Sequence, residues 1–95
     1  MDKFTTEKNH IIYYGEIKNN NKYDGYGIYY FSNGEKYEGQ LKDDKRDGYG
    51  IVYYSNGNIK YEGQWKDDKK DGYGIDYYSN GDIAYQGQWK DDKRV

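Results

Sequence analysis

Ninety-five residues that are 34% hydrophobic and 34% charged would leave a thin core, except that 20% of the chain is aromatic, including fifteen tyrosines and two tryptophans. The formal charge of −2 is spread over interspersed acids and bases, which argues against a nucleic-acid partner. With no cysteine there are no disulfides, thiolate metal sites or thiol nucleophiles. What remains is one ordered domain with an aromatic, partly wet core, stabilised by packing and strand pairing.

Residues 1–10 carry no pattern and read as an irregular N-terminal leader. His10, the single histidine, has no cysteine or second histidine beside it, so neither metal nor catalysis is expected there. The opening residues lack the apolar run of a signal peptide. No window reaches the roughly 18 apolar residues of a membrane span, so a cytoplasmic location is expected.

From residue 11 to 95 the chain repeats itself about three and a half times. YYGEIKNNNKYDGYGIYYFSNG starts at Tyr13, YEGQLKDDKRDGYGIVYYSNG at Tyr37, YEGQWKDDKKDGYGIDYYSNG at Tyr61 and YQGQWKDDKRV at Tyr85, so the leading tyrosines are 24 residues apart. Gly15, Gly39, Gly63 and Gly87 follow two positions later. The first copy has one extra residue before DGYG and one fewer after NG. All 13 glycines fall at the YxG, DGYG and NG positions. Glycine weakens a strand, so a regular lattice of glycines needs a geometric reason, and the expected one is that a ring lies flat across it.

YEGQWK alternates Tyr61, Gly63 and Trp65 with Glu62, Gln64 and Lys66, the period of a half-buried strand. GYGIDYYS alternates too, with Gly72, Gly74, Asp76 and Tyr78 on one side and Tyr73, Ile75 and Tyr77 on the other. A six-residue connection of the DDKKDG type is expected between these strands, and Asn-Gly is expected to supply the positive φ angles of the next hairpin turn. Each copy is then a β-hairpin. The fold class is all-β, a single-layer, elongated, twisted antiparallel ribbon advancing about 10 Å per copy. Its structural face would carry Tyr13, Tyr37, Tyr61 and Tyr85, then Ile17, Leu41, Trp65 and Trp89, then Phe31, Tyr54 and Tyr78, with rings covering neighbouring glycines.

YEGQWKDDKKDGYGIDYYSNG resembles a MORN repeat, the membrane-occupation-and-recognition-nexus motif, in its YxGxW, polar spacer and GxGxxxxxxG. The resemblance covers residues 11–95, with Ile17 and Leu41 standing in place of tryptophan. It implies the same hairpin ribbon and a role in protein interaction or scaffolding. It also implies an alternative of peripheral attachment to acidic phospholipid, and others as an accessory subunit of an enzyme or a bacterial antitoxin-like protein.

Chemistry is hard to place on this chain. The aspartates of DDKRDG and DDKKDG lack the ligand ladder and closing glutamate of a calcium loop and are interleaved with lysines, so they read as solvated turns. GYG lacks the third glycine and helix of a phosphate loop, and Ser32, Ser55 and Ser79 read as turn formers with no histidine to activate them. No catalytic residue, cofactor or metal is expected, and the chain reads as a non-enzyme. Lipid attraction is opposed by KDDKRD and KDDKKD, each of which sums to zero charge.

The second face stands out. Tyr26, Ile28 and Tyr30, Tyr49, Ile51 and Tyr53, and Tyr73, Ile75 and Tyr77 repeat large apolar groups where a one-layer ribbon exposes them. They are read as a contiguous partner-binding stripe, against the plainer reading of cross-strand stacking that shields the backbone. Val95 falls inside the fourth turn, which leaves the Tyr85–Lys90 strand with an expected open edge for homo-oligomer pairing.

Overall fold

The computed structural model describes residues 3–8, 11–19 and 21–95. Its strands are β1 (Lys3–Lys8), β2 (Ile11–Ile17), β3 (Tyr23–Tyr30), β4 (Lys36–Lys42), β5 (Lys45–Tyr53), β6 (Ile59–Lys66), β7 (Lys69–Tyr77), β8 (Ile83–Lys90) and β9 (Lys93–Arg94). They form one open antiparallel sheet in sequence order, 38 × 26 × 18 Å in extent. The leader is not irregular throughout: Lys3–Lys8 pairs along β2 from Lys3↔Glu16 to Lys8↔Ile11. His10 lies outside the described residues.

Two turn types alternate, and neither has the form expected from the sequence. The DD connection is a two-residue turn, not a six-residue one, because both aspartates take positive φ (50° and 71° at Asp43 and Asp44, 48° and 72° at Asp67 and Asp68) and the residues around them are already paired. Two successive left-handed residues give the type I′ geometry whose twist matches that of antiparallel strands. In the SNG turns only the glycine has positive φ. Gly57 N–H donates to Tyr54 O at 2.9 Å, Tyr54 N–H donates to Asn58 O at 2.8 Å, and Asn56 contributes its side-chain Oδ1 as acceptor for Asn58 N–H at 2.9 Å. Asparagine there holds the turn by its amide, not by its backbone. The fourth turn closes at Asp91 and Asp92, and Arg94 pairs with Trp89.

Glycines meet glycines across the sheet. Gly15, Gly27, Gly39, Gly50, Gly63, Gly74 and Gly87 are register partners in succession from β2 to β8. The shallow trough they leave is filled by rings: Tyr13 lies over Gly27, Tyr37 over Gly50 and Tyr61 over Gly74, and all three tyrosines are 0% exposed. Just past YxG a register shift skips one residue in β2, β4 and β6. The tyrosine hydroxyls donate to the carbonyls of the skipped residues Glu16, Gln40 and Gln64 at 2.7, 2.7 and 2.9 Å. The bulge releases a carbonyl from the ladder, and the buried phenol satisfies it.

Tryptophans join the copies. Trp65 Nε1 donates to Gly50 O and Trp89 Nε1 to Gly74 O, each at 3.2 Å, and each indole meets the tyrosines on both sides edge-on. Leu41 is buried at the equivalent place and Ile17 packs partly buried against the cluster. The remaining series diverges: Phe31 packs on the core, Tyr54 is half-buried and donates to Tyr77 O at 2.6 Å, and Tyr78 is 59% exposed.

The charged spacer is structural too. Arg46 lies 4.1 Å from the Trp65 ring centroid and Lys70 lies 4.6 Å from that of Trp89. The next copy's aspartate accepts from each cationic residue's backbone, Asp68 from Arg46 N–H at 3.2 Å and Asp92 from Lys70 N–H at 2.8 Å. The aspartate's own N–H returns to that residue's carbonyl at 2.8 and 3.0 Å. Tyr23 holds this position in the first copy, stacked 3.7 Å from Tyr13.

Candidate interaction face

With the rings on one face committed to the core, alternation sends Tyr26, Ile28 and Tyr30 of β3, Tyr49, Ile51 and Tyr53 of β5, and Tyr73, Ile75 and Tyr77 of β7 to the other. The structure brings all nine together on that side. Tyr26, Tyr30, Tyr49 and Tyr73 are exposed, and the three isoleucines with Tyr53 and Tyr77 are half-buried between neighbours. Tyr14 joins them from β2, 49% exposed and paired with Ile28.

The stripe is not contiguous, which corrects the sequence reading. β4 and β6 run between β3, β5 and β7, with β8 beyond, and they turn Glu38, Glu62 and Gln86 outward, so one straight line across the sheet reads Ile28, Glu38, Ile51, Glu62, Ile75, Gln86. Rows of tyrosine flank it. Tyr26 donates its hydroxyl to Glu38, Tyr77 donates to Glu62 Oε1 at 2.7 Å, and Gln86 Nε2 donates to the Tyr73 hydroxyl oxygen. Lys36 Nζ sits 4.5 Å from the centroid of the Tyr53 ring.

These contacts shift the phenols in one direction. The hydrogen bond to Glu38 pushes the Tyr26 pKa up to about 12, and the bond to Glu62 does the same for Tyr77. Tyr53 and Tyr49 are raised first by burial and then by the charges of Glu38 and Glu62 respectively. Each carboxylate makes ionisation of the surrounding hydroxyls costly, which keeps them as donors.

Glu38 and Glu62 are the residues sequence reasoning missed. Their signal was present, since the middle residue of YEG must face away from the buried tyrosine. Only the register shows that they fall between the isoleucines.

The core face has a cleft of about 320 Å³ bordered by Phe31, Glu35, Arg46, Lys60, Trp65 and Lys70. Its bases are paired within the chain: Arg46 with Asp68 at 2.6 Å, Lys60 with Glu35 at 3.1 Å and Lys70 with Asp76 at 3.4 Å. Among the described residues no group of three or more His, Cys, Asp or Glu is placed to hold a metal ion. Among the same residues no helix is long and apolar enough to cross a membrane.

Compared with curated proteins, the chain finds no match. The MORN repeat profile matches four times in succession, at residues 13–36, 37–59, 61–83 and 85–95, each match opening on a tyrosine of the YxG series. Repeats of this kind occur in proteins that interact with other proteins or associate with membranes. With matches over most of its length and the hairpin ribbon to go with them, this chain belongs to the MORN repeat family.

Proposed function

We propose that this chain is a non-enzymatic module that binds a protein partner through the outward face of β3, β5 and β7. One observation carries the reading: the fold buries its glycine-covering rings on one face, yet spends nine further large side chains on the other, where five tyrosines including Tyr14 stay exposed. Phenol rings with fixed hydroxyls offer large contact area and hydrogen bonding at low entropic cost, the chemistry that protein interfaces favour. The half-buried isoleucines between them alternate with Glu38 and Glu62, so the floor joins apolar contact to negative charge.

The attachment to acidic lipid draws less support, since the bases of the core-side cleft are paired with acids. The test replaces Tyr30, Tyr53 and Tyr77 together by serine and compares capture of partner from native lysate with that by the unaltered chain, circular dichroism confirming the sheet. Loss of capture is expected. Undiminished capture by the folded variant would overturn the reading, and flotation on acidic vesicles by the unaltered chain would favour the lipid alternative.

A further inference from the structure

Glu38 and Glu62 have no ion-pair partner among the described residues. The ion pairs of the sheet draw instead on Glu35, Asp43, Asp68, Asp71 and Asp76. Each of the two glutamates stands among phenols, Glu38 with Tyr26 and Tyr53, Glu62 with Tyr77 and Tyr49. A carboxylate on the floor of a set of tyrosine rings favours a cation, since the charge attracts it and the ring faces stack on it.

The chain itself places one ammonium on this face, Lys36 against the ring of Tyr53, without an ion pair to Glu38. In the next copy the equivalent Lys60 turns to the opposite side, onto Tyr54 and Glu35, and in the last copy the position is Ala84. Tyr73 and Tyr77 are therefore without an internal cation among the described residues.

Spacing narrows the occupant. Glu38 and Glu62 lie on β4 and β6, two strands apart, which is about 9.6 Å. A polyproline II segment brings every third residue to the same side at intervals of about 9.3 Å. A β-strand places same-side residues about 6.8 Å apart. An α-helix has to reach seven residues along, about 10.5 Å.

Resting on the protein-binding reading above, we propose that the outward face takes a basic segment of its partner in polyproline II conformation, laid across the strands. Lysine or arginine at every third residue sits over Glu38 and then Glu62, with Ile51 beneath the residues between.

The probe is a fluorescein-labelled peptide of four Arg-Pro-Pro repeats, followed by anisotropy against the full chain. Saturable binding that weakens with added salt is expected, with a loss of about tenfold in the Glu38→Gln/Glu62→Gln double variant, equivalent to about 1.4 kcal/mol. Glutamine keeps an acceptor for Tyr26 and Tyr77, and circular dichroism checks the fold. No saturable binding, or equal binding by the double variant, overturns the cationic assignment. A peptide of the same composition with its arginines in one block, or an alanine-rich helix with arginine every seven residues, is expected to bind several-fold more weakly; equal or tighter binding by either overturns the three-residue register. If the serine variant loses its lysate partner while the Arg-Pro-Pro peptide fails to bind, this inference alone falls and the interaction face stands. If the serine variant also keeps its partner, both fall.

Discussion

Tyr61 reclines on Gly74, its ring and hydroxyl inside 3.0 Å of where a Cβ on that glycine would stand. The ring is fully buried and tied by its hydroxyl to the Gln64 carbonyl, so it cannot swing aside. Gly74→Ala is expected to destabilise the sheet by about 3 kcal/mol, the upper range for overpacking. Gly57→Ala meets nothing within 4 Å and suffers only from its φ of +92°, about 1 kcal/mol. Urea unfolding of the two variants distinguishes the causes, and equal losses would show that the glycines serve backbone freedom and not the rings.

Tyr61→Phe keeps the ring over Gly74 and removes only the proton given to the bulge carbonyl. A loss of about 1–2 kcal/mol is expected, since a buried acceptor is left unmet. Tyr61→Ala opens the trough and should cost about 3–5 kcal/mol, the range for emptying an aromatic site. Chemical denaturation checks both.

Asp68 serves two masters: it holds φ of 72° at the turn and accepts from the backbone and Nε of Arg46. Substitution by Asn, which tolerates left-handed backbone and retains an acceptor, is expected to be the mildest change. Gly keeps the turn and loses the acceptor, and Ala loses both, at about 2 kcal/mol. A thermal-melt order of Asn above Gly above Ala supports the two roles; Gly and Ala melting together would remove the backbone one.

Alkali should unfold this protein in a particular way. The folded pKa values of Tyr26, Tyr29 and Tyr77 are raised to about 12, the first and last by hydrogen bonds to Glu38 and Glu62 and Tyr29 by burial. Tyr13, Tyr37 and Tyr61 are held still higher, chiefly by burial. Unfolded phenols ionise near pH 10, so the stability these groups contribute is whole below about pH 10 and is lost as pH rises through their folded values. Absorbance at 295 nm should show Tyr13, Tyr37 and Tyr61 ionising only together with unfolding. Glu62→Gln should lower the pH at which Tyr77 ionises, since the hydrogen bond to that carboxylate is the main cause of its raised value.

The period-two alternation around YxGxW and DGYG marks the strands and their two faces, because a strong local pattern and a 24-residue repeat leave few alternatives. The expected rings lie on the glycines of YxG and the second of DGYG, whereas the first of DGYG and that of NG take positive φ with no ring against them. The turns were misread. Asp43 and Asp44 look like part of a long solvated loop until their left-handed pairing is known, and Asn-Gly suggests positive φ at both residues where only the glycine takes it, in a turn of three residues. The outward face was legible as side chains but not as an arrangement. Strand pairing sets Glu38 between Ile28 and Ile51, and that register depends on bulges at Gln40 and Gln64 which no single copy announces. The same distance hides the reach of Asp68 to Arg46, 22 residues away.

Asp44 reaches back to Tyr23, Asp68 to Arg46 and Asp92 to Lys70, so each of these clasps joins a copy to the one before it. The strands lie across the line from β1 to β9, and tension on the two ends opens their hydrogen bonds one pair at a time and not in parallel shear. Under load the ribbon would yield from an end inward in steps, each 24-residue copy paying out roughly 70–80 Å of chain, a compliant spring more than a rigid strut.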